Sequence, residues 1–275
     1  MSTYAEPVIR ASATHIARDA SNSSALQLLA RVGFAVNGLL HILIGSIAIT
    51  VALGAGTGSA DQSGALAQLA SSPGGVFLLW TVVVGMFALG LWLVVSAFVM
   101  QGDPKRKWSR RLANFAKAIV YFALGATALT FAQGGSASSA SSTQSASSSL
   151  LASPGGAIAL FLAGVAVLGI AGYFIYKGAA QRFRSDLTVP SGTAGRAVIV
   201  LGVVGYIAKG VALGVVAILV GVAALTRDAS KSTGLDGALK ALAALPFGTI
   251  ALILIGIGLL AYGVYCFARA RRARL

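Results

Sequence analysis

Six long apolar runs, at roughly 31–53, 73–99, 111–132, 154–178, 196–225 and 246–268, constrain this sequence more than any other feature. Each reaches the length of about 20 residues that a helix needs to cross a bilayer. Backbone in hydrocarbon must satisfy its own N–H and C=O groups, so runs of this kind are helices, one span each. Composition agrees. Only 10% of the residues are charged and 57% are hydrophobic, whereas a soluble domain carries about 25% charged residues. The protein lacks the polar surface to cover a water-soluble fold of its size, and the sequence predicts an all-α polytopic membrane protein with six transmembrane helices.

The runs are not independent. "PGGVFLLW" begins at Pro73, "PGGAIALF" at Pro154 and "PFGTIALI" at Pro246. Proline is favoured in the first turn of a helix, where its missing N–H has no partner to lose, so each element is expected to open the second helix of a hairpin within that first turn. "GALAQLA" at Gly64 and "GALKALA" at Gly237 each start nine residues before their proline and read as short helices on the membrane surface. Past the prolines the offsets keep matching: Gly85, Ala166 and Gly258, then Gly90, Ala171 and Gly263, then the aromatics Trp92, Tyr173 and Tyr265. The first helices align as well, through Gly33, Ala113 and Gly205, through Asn37, Lys117 and Lys209, through Gly38, Ala118 and Gly210, through His41, Tyr121 and Leu213, and through Gly45, Gly125 and Ala217. The sequence is a triplicated helical hairpin. Each unit crosses twice, so the three share one orientation and should be related by a pseudo-threefold axis along the membrane normal.

The expected organisation is a cytoplasmic N-terminal segment over 1–28, repeat 1 over 29–107, repeat 2 over 108–190, and repeat 3 over 191–275 with a basic C-terminal tail. The Ser/Ala-rich stretch 134–149 stands where the other repeats have a surface helix, and its composition predicts a flexible outer loop that buries too little apolar area to fold. Residues 1–24 lack the apolar core of a signal peptide, so the first run is expected to remain as a span.

Charge sets the orientation. Sixteen Lys and Arg residues lie at the ends of runs on one side: Arg10, Arg18 and Arg31, then Lys105, Arg106, Lys107, Arg110 and Arg111, then Lys177, Arg182, Arg184 and Arg196, and finally Arg269, Arg271, Arg272 and Arg274. The other side has Arg227, Lys231 and Lys240. The excess of positive charge marks the cytoplasmic side, so both termini are expected there. This distribution also accounts for the formal charge of +14 without nucleic acid, because no basic segment is interleaved with stacking aromatics. The expected partners are anionic lipid headgroups, contacted by Lys105, Arg106, Lys107, Arg110, Arg111, Arg182, Arg184, Arg269, Arg271 and Arg272. Another membrane protein is a second class of partner that such a basic face serves.

The "ARVGFAVNG" start, the Gly-Ala-Leu element, the Pro-Gly entry and the presence of three copies together resemble the domain of unknown function 1206. That is a bacterial membrane family, mostly actinobacterial, built from three two-helix repeats. The resemblance runs from about Leu29 through nearly the whole sequence. It implies the six-helix fold and a location in the bacterial plasma membrane, and it carries no activity. The family's usual basic residue stands at Lys117 and Lys209, while Asn37 departs from it.

Signatures of catalysis are absent from the sequence. There are two histidines and seven acids, no acid lies in a span, and neither HExxH nor GxSxG occurs. The single cysteine, Cys266, excludes an intrachain disulfide and a cysteine-based metal cluster, so neither cofactor nor metal is expected. "SGTAGR" from Ser191 reads as a helix cap. The most suggestive pattern is polar. Gly33, Asn37, His41 and Gly45 are spaced by four and share a face of the first helix, and Ala113, Lys117, Tyr121 and Gly125 do so in the third span. Asn37, His41, Lys117, Tyr121 and Lys209 are the candidate lining of a polar pocket between the first helices, because intramembrane ionisable residues mark functional positions. The bland alternative is that the lysines snorkel to headgroups and Asn37 and His41 bond neighbouring helices. Two functions follow. One is a non-enzymatic accessory or scaffold protein presenting a basic cytoplasmic face. The other is a small transporter or channel for an anion or polar solute.

Overall fold

The structure, a computed structural model, describes residues 24–56, 58–99 and 104–274. Of the segment expected over 1–28, residues 1–23 lie outside the described residues, as do the side chains of Lys105, Arg106 and Lys107. Along the sequence the helices are ordered so that each of three short ones stands between two long ones. They are α1 (Ser24–Ala52), short α2 (Gln62–Ala70), α3 (Gly75–Val99), α4 (Pro104–Ala132), short α5 (Ser139–Leu151), α6 (Gly156–Ala179), α7 (Gly192–Thr226), short α8 (Gly234–Ala243) and α9 (Gly248–Arg272). Among the described residues the six long helices contain the six segments long and apolar enough to cross a membrane, so the fold is all-α with three hairpins of two spans. Their limits follow the hydropathy to within about seven residues. α1, α4 and α7 begin earlier than their apolar runs, at Ser24, Pro104 and Gly192, and α9 runs on to Arg272, because a helix can continue past the apolar slab once its side chains are polar. Ser191 occupies the N-cap of α7 but makes no capping hydrogen bond.

The three prolines work differently from the first-turn role expected of them. Each closes a β-turn just ahead of the helix: the Gly75 N–H donates to the Ser72 carbonyl (2.8 Å), Gly156 to Ser153 (3.0 Å) and Gly248 to Leu245 (2.8 Å). Proline presets φ at the second position, and the third is left-handed, as a type II turn requires. Gly74 (φ +73°) and Gly155 (φ +75°) accept that geometry readily, while Phe247 adopts φ +62° despite its side chain. The fourth residue is glycine in all three, since a Cβ there would run into the carbonyl of Leu69, Leu150 or Leu242 six positions earlier. This steric demand is why the motif recurs.

The Ser/Ala tract is a correction. It is helical over Ser139–Leu151, with the Ser138 hydroxyl accepting from the Ser141 N–H (3.2 Å) at its N-cap. Alanine favours helix, and serine here finds partners that composition does not reveal. The Ser139 N–H donates to Ser63 Oγ (3.2 Å), and the buried Ser147 hydroxyl donates to Ser232 Oγ (2.9 Å). At the third join, the buried Asp236 carboxylate accepts from the Ala60 N–H (2.8 Å) and from Lys240 (2.7 Å). The short helices of all three repeats are thus linked into a cap over one end of the bundle. Beneath it, Leu66, Leu69, Leu239 and Leu252 join Ile44, Ala128 and Phe131 in a continuous apolar core.

The spans follow one another in the lateral order α4, α3, α1, α9, α7, α6. The second helix of each repeat packs on the first helix of another: α3 on α4, α6 on α7, and α9 on α1. The three junctions are built alike. Gly90 meets Phe122, Ala171 meets Gly210, and Gly263 meets Gly38 and Ile42. One level away, Gly125 meets Phe87, Gly164 meets Ala217 and Gly221, and Gly45 meets Gly256 and Leu260. In lipid, helix association rests on close packing, and small residues permit it. Within repeats the pattern breaks. α1 packs on α3 and α7 on α9, but among the described residues α4 and α6 have no extended contact, leaving a seam in the middle repeat. α4 and α6 are the least buried of the six spans.

Candidate functional site

At the end opposite the cap, α9 carries Tyr262, Tyr265, Cys266 and Arg269 at spacings of three, four and seven, which place them on one helical face. α1 and α7 pack on either side of α9 and bring the repeat-equivalent residues Asn37 and Lys209 to it. Asn37 Nδ2 donates to Cys266 Sγ (3.5 Å), and both residues are buried. His41 is buried one turn along; its Nδ1–H donates to the Asn37 carbonyl (2.8 Å), since a carbonyl only accepts, and its ring lies 4.7 Å from that of Tyr262. The Lys209 ammonium sits over the Tyr262 ring at 4.5 Å and the Phe174 ring at 5.3 Å, a cation–π seat of the kind that holds a charge out of water. Asn37, His41 and Lys209 therefore share one neighbourhood, with Tyr262 between the last two.

Lys117 and Tyr121 reach the cluster from α4. Tyr121 is half-buried and packs against the core beside Phe34 and Leu89. Lys117 is exposed on α4 and is not the direct neighbour of Lys209. The cations acting most on each are Lys177 and Arg269. Sequence places those two only among the basic ends of spans. Lys177 instead makes an ion pair with Asp186 (2.6 Å) and lies over the Tyr206 ring (5.1 Å). Arg269, expected among the headgroup contacts, turns inward because Phe34 and Asp186 attract it: its guanidinium lies 4.3 Å from the Phe34 ring centre and 3.8 Å from the Asp186 carboxylate, with 24% of the side chain exposed.

Asp186 ends a 3₁₀ turn, Arg182–Asp186, which is clamped by the residues that follow α9. The Thr188 N–H donates to the Arg272 carbonyl (2.9 Å) and the Arg274 N–H to the Asp186 carbonyl (3.1 Å). Phe183 from the same turn is fully buried, stacked on Tyr206 and edge-on to Tyr265, in space that a side chain on Gly202 would fill. The result is a region where Lys177 and Arg269 share the carboxylate of Asp186, while Lys117 and Lys209 make no ion pair among the described residues. Two buried polar atoms there, Arg269 Nε and the hydroxyl of the fully buried Tyr265, have no hydrogen-bond partner among the described residues. By contrast, a depression at the cap end, lined by Thr50, Ser63, Gln68 and Ser138 among others, contains no charged side chain.

The other expected headgroup contacts divide. Arg110, Arg182, Arg184, Arg271 and Arg272 are exposed at this end. Arg111 is half-buried and donates to the Ala97 (2.9 Å) and Phe98 (3.2 Å) carbonyls, closing the C-terminus of α3. The repeat-equivalent aromatics part company too: Tyr265 is buried, Trp92 packs edge-on to Phe34, and Tyr173 is exposed. Two signals pointed to the missed residues: the i, i+3, i+4, i+7 spacing on α9, and one acid placed in the arginine-rich "RFRSD".

Six spans in three hairpins, capped at one end and rich in exposed and half-buried cations at the other, define a polytopic membrane protein of internal repeats. The protein belongs to the family described as Domain of Unknown Function (DUF1206), which matches it at residues 32–99, 112–181 and 204–273. Each match begins in the first span of a hairpin and ends at or just past its second. Over 244 residues it is 31% identical to the uncharacterized protein YxxB of Bacillus subtilis (strain 168), an alignment that spans 87% of this sequence and 88% of that one. No solved structure matches it.

Proposed function

We propose that this protein is a non-enzymatic component of the bacterial plasma membrane that binds an anion at its basic, cytoplasmic end. In this reading both termini are cytoplasmic, the cap faces outward, and the hairpins are turned about a pseudo-threefold axis, which the likeness of the three junctions supports. The observation that carries the proposal is the imbalance of Lys117, Lys177, Lys209 and Arg269 against Asp186. Like charges about 8 Å apart repel by roughly 2 kcal/mol at an effective dielectric of about 20. Desolvation adds to that cost. An anion removes both penalties and offers acceptors to Arg269 Nε and the Tyr265 hydroxyl. The apolar core beneath the cap favours binding from the cytoplasmic half over an open channel.

Orientation is checked by labelling intact cells. Ser141 is exposed on the cap and Cys266 is buried, so Ser141→Cys should react with an impermeant maleimide while the native cysteine stays silent. The reverse pattern inverts the topology. Binding is checked by thermal unfolding of the purified protein in a zwitterionic detergent, with sulfate against chloride at matched ionic strength. Sulfate at about ten times its dissociation constant should stabilise by about 1.4 kcal/mol, a shift of several degrees. Lys209→Met should remove most of that increment. An increment unchanged in Lys209→Met and in the Lys117→Met/Lys209→Met double variant would make these lysines surface anchors and end the reading. A second reading, an accessory protein whose exposed Arg110, Arg182, Arg184, Arg271 and Arg272 meet anionic lipid or a partner protein, rests on those side chains alone.

A further inference from the structure

The seam between α4 and α6 gives the cation cluster a second approach, from the side, through the bilayer. At the other closures around the bundle, neighbouring spans pack on one another, but the two spans of the middle repeat part. Both helices expose charge beside hydrocarbon. On α4, Val120 lies one turn from Lys117, with 56% of its surface exposed; on α6, Ile170, Tyr173 and Lys177 share a face by their spacing, and Ile170 is 50% exposed. Lys117 and Lys177 stand on the two helices that part, and Arg269 meets the Asp186 carboxylate that Lys177 also holds. A soluble anion needs only the charged part of this arrangement. The exposed apolar residues above the lysines fit acyl chains, which leave the bilayer at no hydrophobic cost.

We infer that the occupant of the cluster is an anionic phospholipid. Its phosphate lies between Lys117, Lys177 and Arg269, where charge-assisted hydrogen bonds to phosphate are strong. Its acyl tails run along the seam between α4 and α6 toward the cap. Arg269 Nε and the Tyr265 hydroxyl, buried without a hydrogen-bond partner among the described residues, are further donors on offer to it. The inference rests on the anion site proposed above and names its ligand; no lipid is asked to react.

The test uses the full-length protein, stripped of lipid in mild detergent and titrated in three arms, with retained ligand counted by native mass spectrometry. The arms are dioleoylphosphatidylglycerol, dioleoylphosphatidylcholine and water-soluble glycerol 3-phosphate. The expected result is phosphatidylglycerol held at least tenfold more tightly than phosphatidylcholine, with no displacement by millimolar glycerol 3-phosphate. Lys117→Met, which breaks no ion pair, should lower phosphatidylglycerol retention about tenfold; Lys117→Arg should restore it, and Lys240→Met at the cap should leave it unchanged. Equal binding of glycerol 3-phosphate and phosphatidylglycerol overturns the lipid while sparing the anion site. Equal retention of the two lipids, or a Lys117→Met variant that binds as the parent does, overturns the lipid assignment as well. Failure of both anionic ligands to bind removes the site itself.

Discussion

Gly38→Leu and Gly263→Leu should each abolish accumulation of folded protein. Between α1 and α9 the backbones touch: a Cβ on Gly38 would stand 2.7 Å from the Gly263 carbonyl oxygen, and one on Gly263 would stand 2.6 Å from the Gly38 carbonyl oxygen. Neither neighbour is the end of a flexible side chain, so the only relief is separation of the helices. Separation also forfeits the second contact level, where a Cβ on Gly45 would meet the Gly256 carbonyl at 2.7 Å. Alanine should cost about 2 kcal/mol, and leucine more than the roughly 3 kcal/mol of ordinary overpacking. Loss of that packing is severe in a membrane, where no hydrophobic term between helices compensates. Gly172→Leu on α6 is the control: nothing lies within 4 Å of that position, and an exposed change should stay within about 0.5 kcal/mol. Monodisperse elution of a fluorescent fusion from a sizing column reports all three. A Gly38→Leu protein that elutes and melts like the Gly172→Leu control would show that α1 and α9 do not meet as described.

Asp186→Asn should move stability and binding in opposite directions. Its carboxylate is the acidic partner of Lys177 and the nearest one to Arg269. Removing one member of a fully buried pair costs about 3–5 kcal/mol. Asp186 retains 21% side-chain exposure, so a loss of about 2 kcal/mol is expected for this more solvated pair. The backbone clamp survives, because the Arg274 N–H bonds the Asp186 main-chain carbonyl. With the carboxylate gone, two more cations are free for an anionic ligand, and affinity should rise about tenfold, or about 1.4 kcal/mol. Thermal unfolding without ligand and a sulfate titration measure the two quantities separately. A variant losing stability and sulfate affinity together would mean that Asp186 merely builds the region, and the charge-imbalance argument would collapse.

What the sequence revealed depended on how far apart the determinants lie. The six spans, the hairpin repeat and the surface helices at Gln62–Ala70 and Gly234–Ala243 are written in contiguous or evenly offset residues. The prolines mark the right places but suggest the wrong geometry, because the decisive fact is the carbonyl six residues earlier that forbids a Cβ at Gly75, Gly156 and Gly248. Composition misjudges Ser139–Leu151, since serines that look unable to fold alone are fixed by Ser63 and Ser232 from other repeats. Asn37, His41 and Lys209 can be chosen from helical spacing. Lys177, Asp186 and Arg269 cannot, because their association depends on a 3₁₀ turn meeting the residues after the last span.

The lateral order of the spans sets an order of assembly. α3 finds α4, and α6 finds α7, soon after each pair is made, but the partner of α1 is α9, the last of the described spans. Gly38 and Gly263 are 225 positions apart (263 − 38). At the roughly 5–20 residues per second of protein synthesis, the glycine face of α1 waits on the order of ten to forty seconds for the helix that covers it. Until then α4, α3 and α1 form one row and α6 and α7 another, with the glycine face of α1 exposed to lipid, chaperones and membrane proteases. Closure comes only once α9 is made, when it seats on α1 and the residues at its end pin the Asp186 turn. A ribosome that stalls within α9 leaves five of the six described spans made and the α1–α9 closure missing.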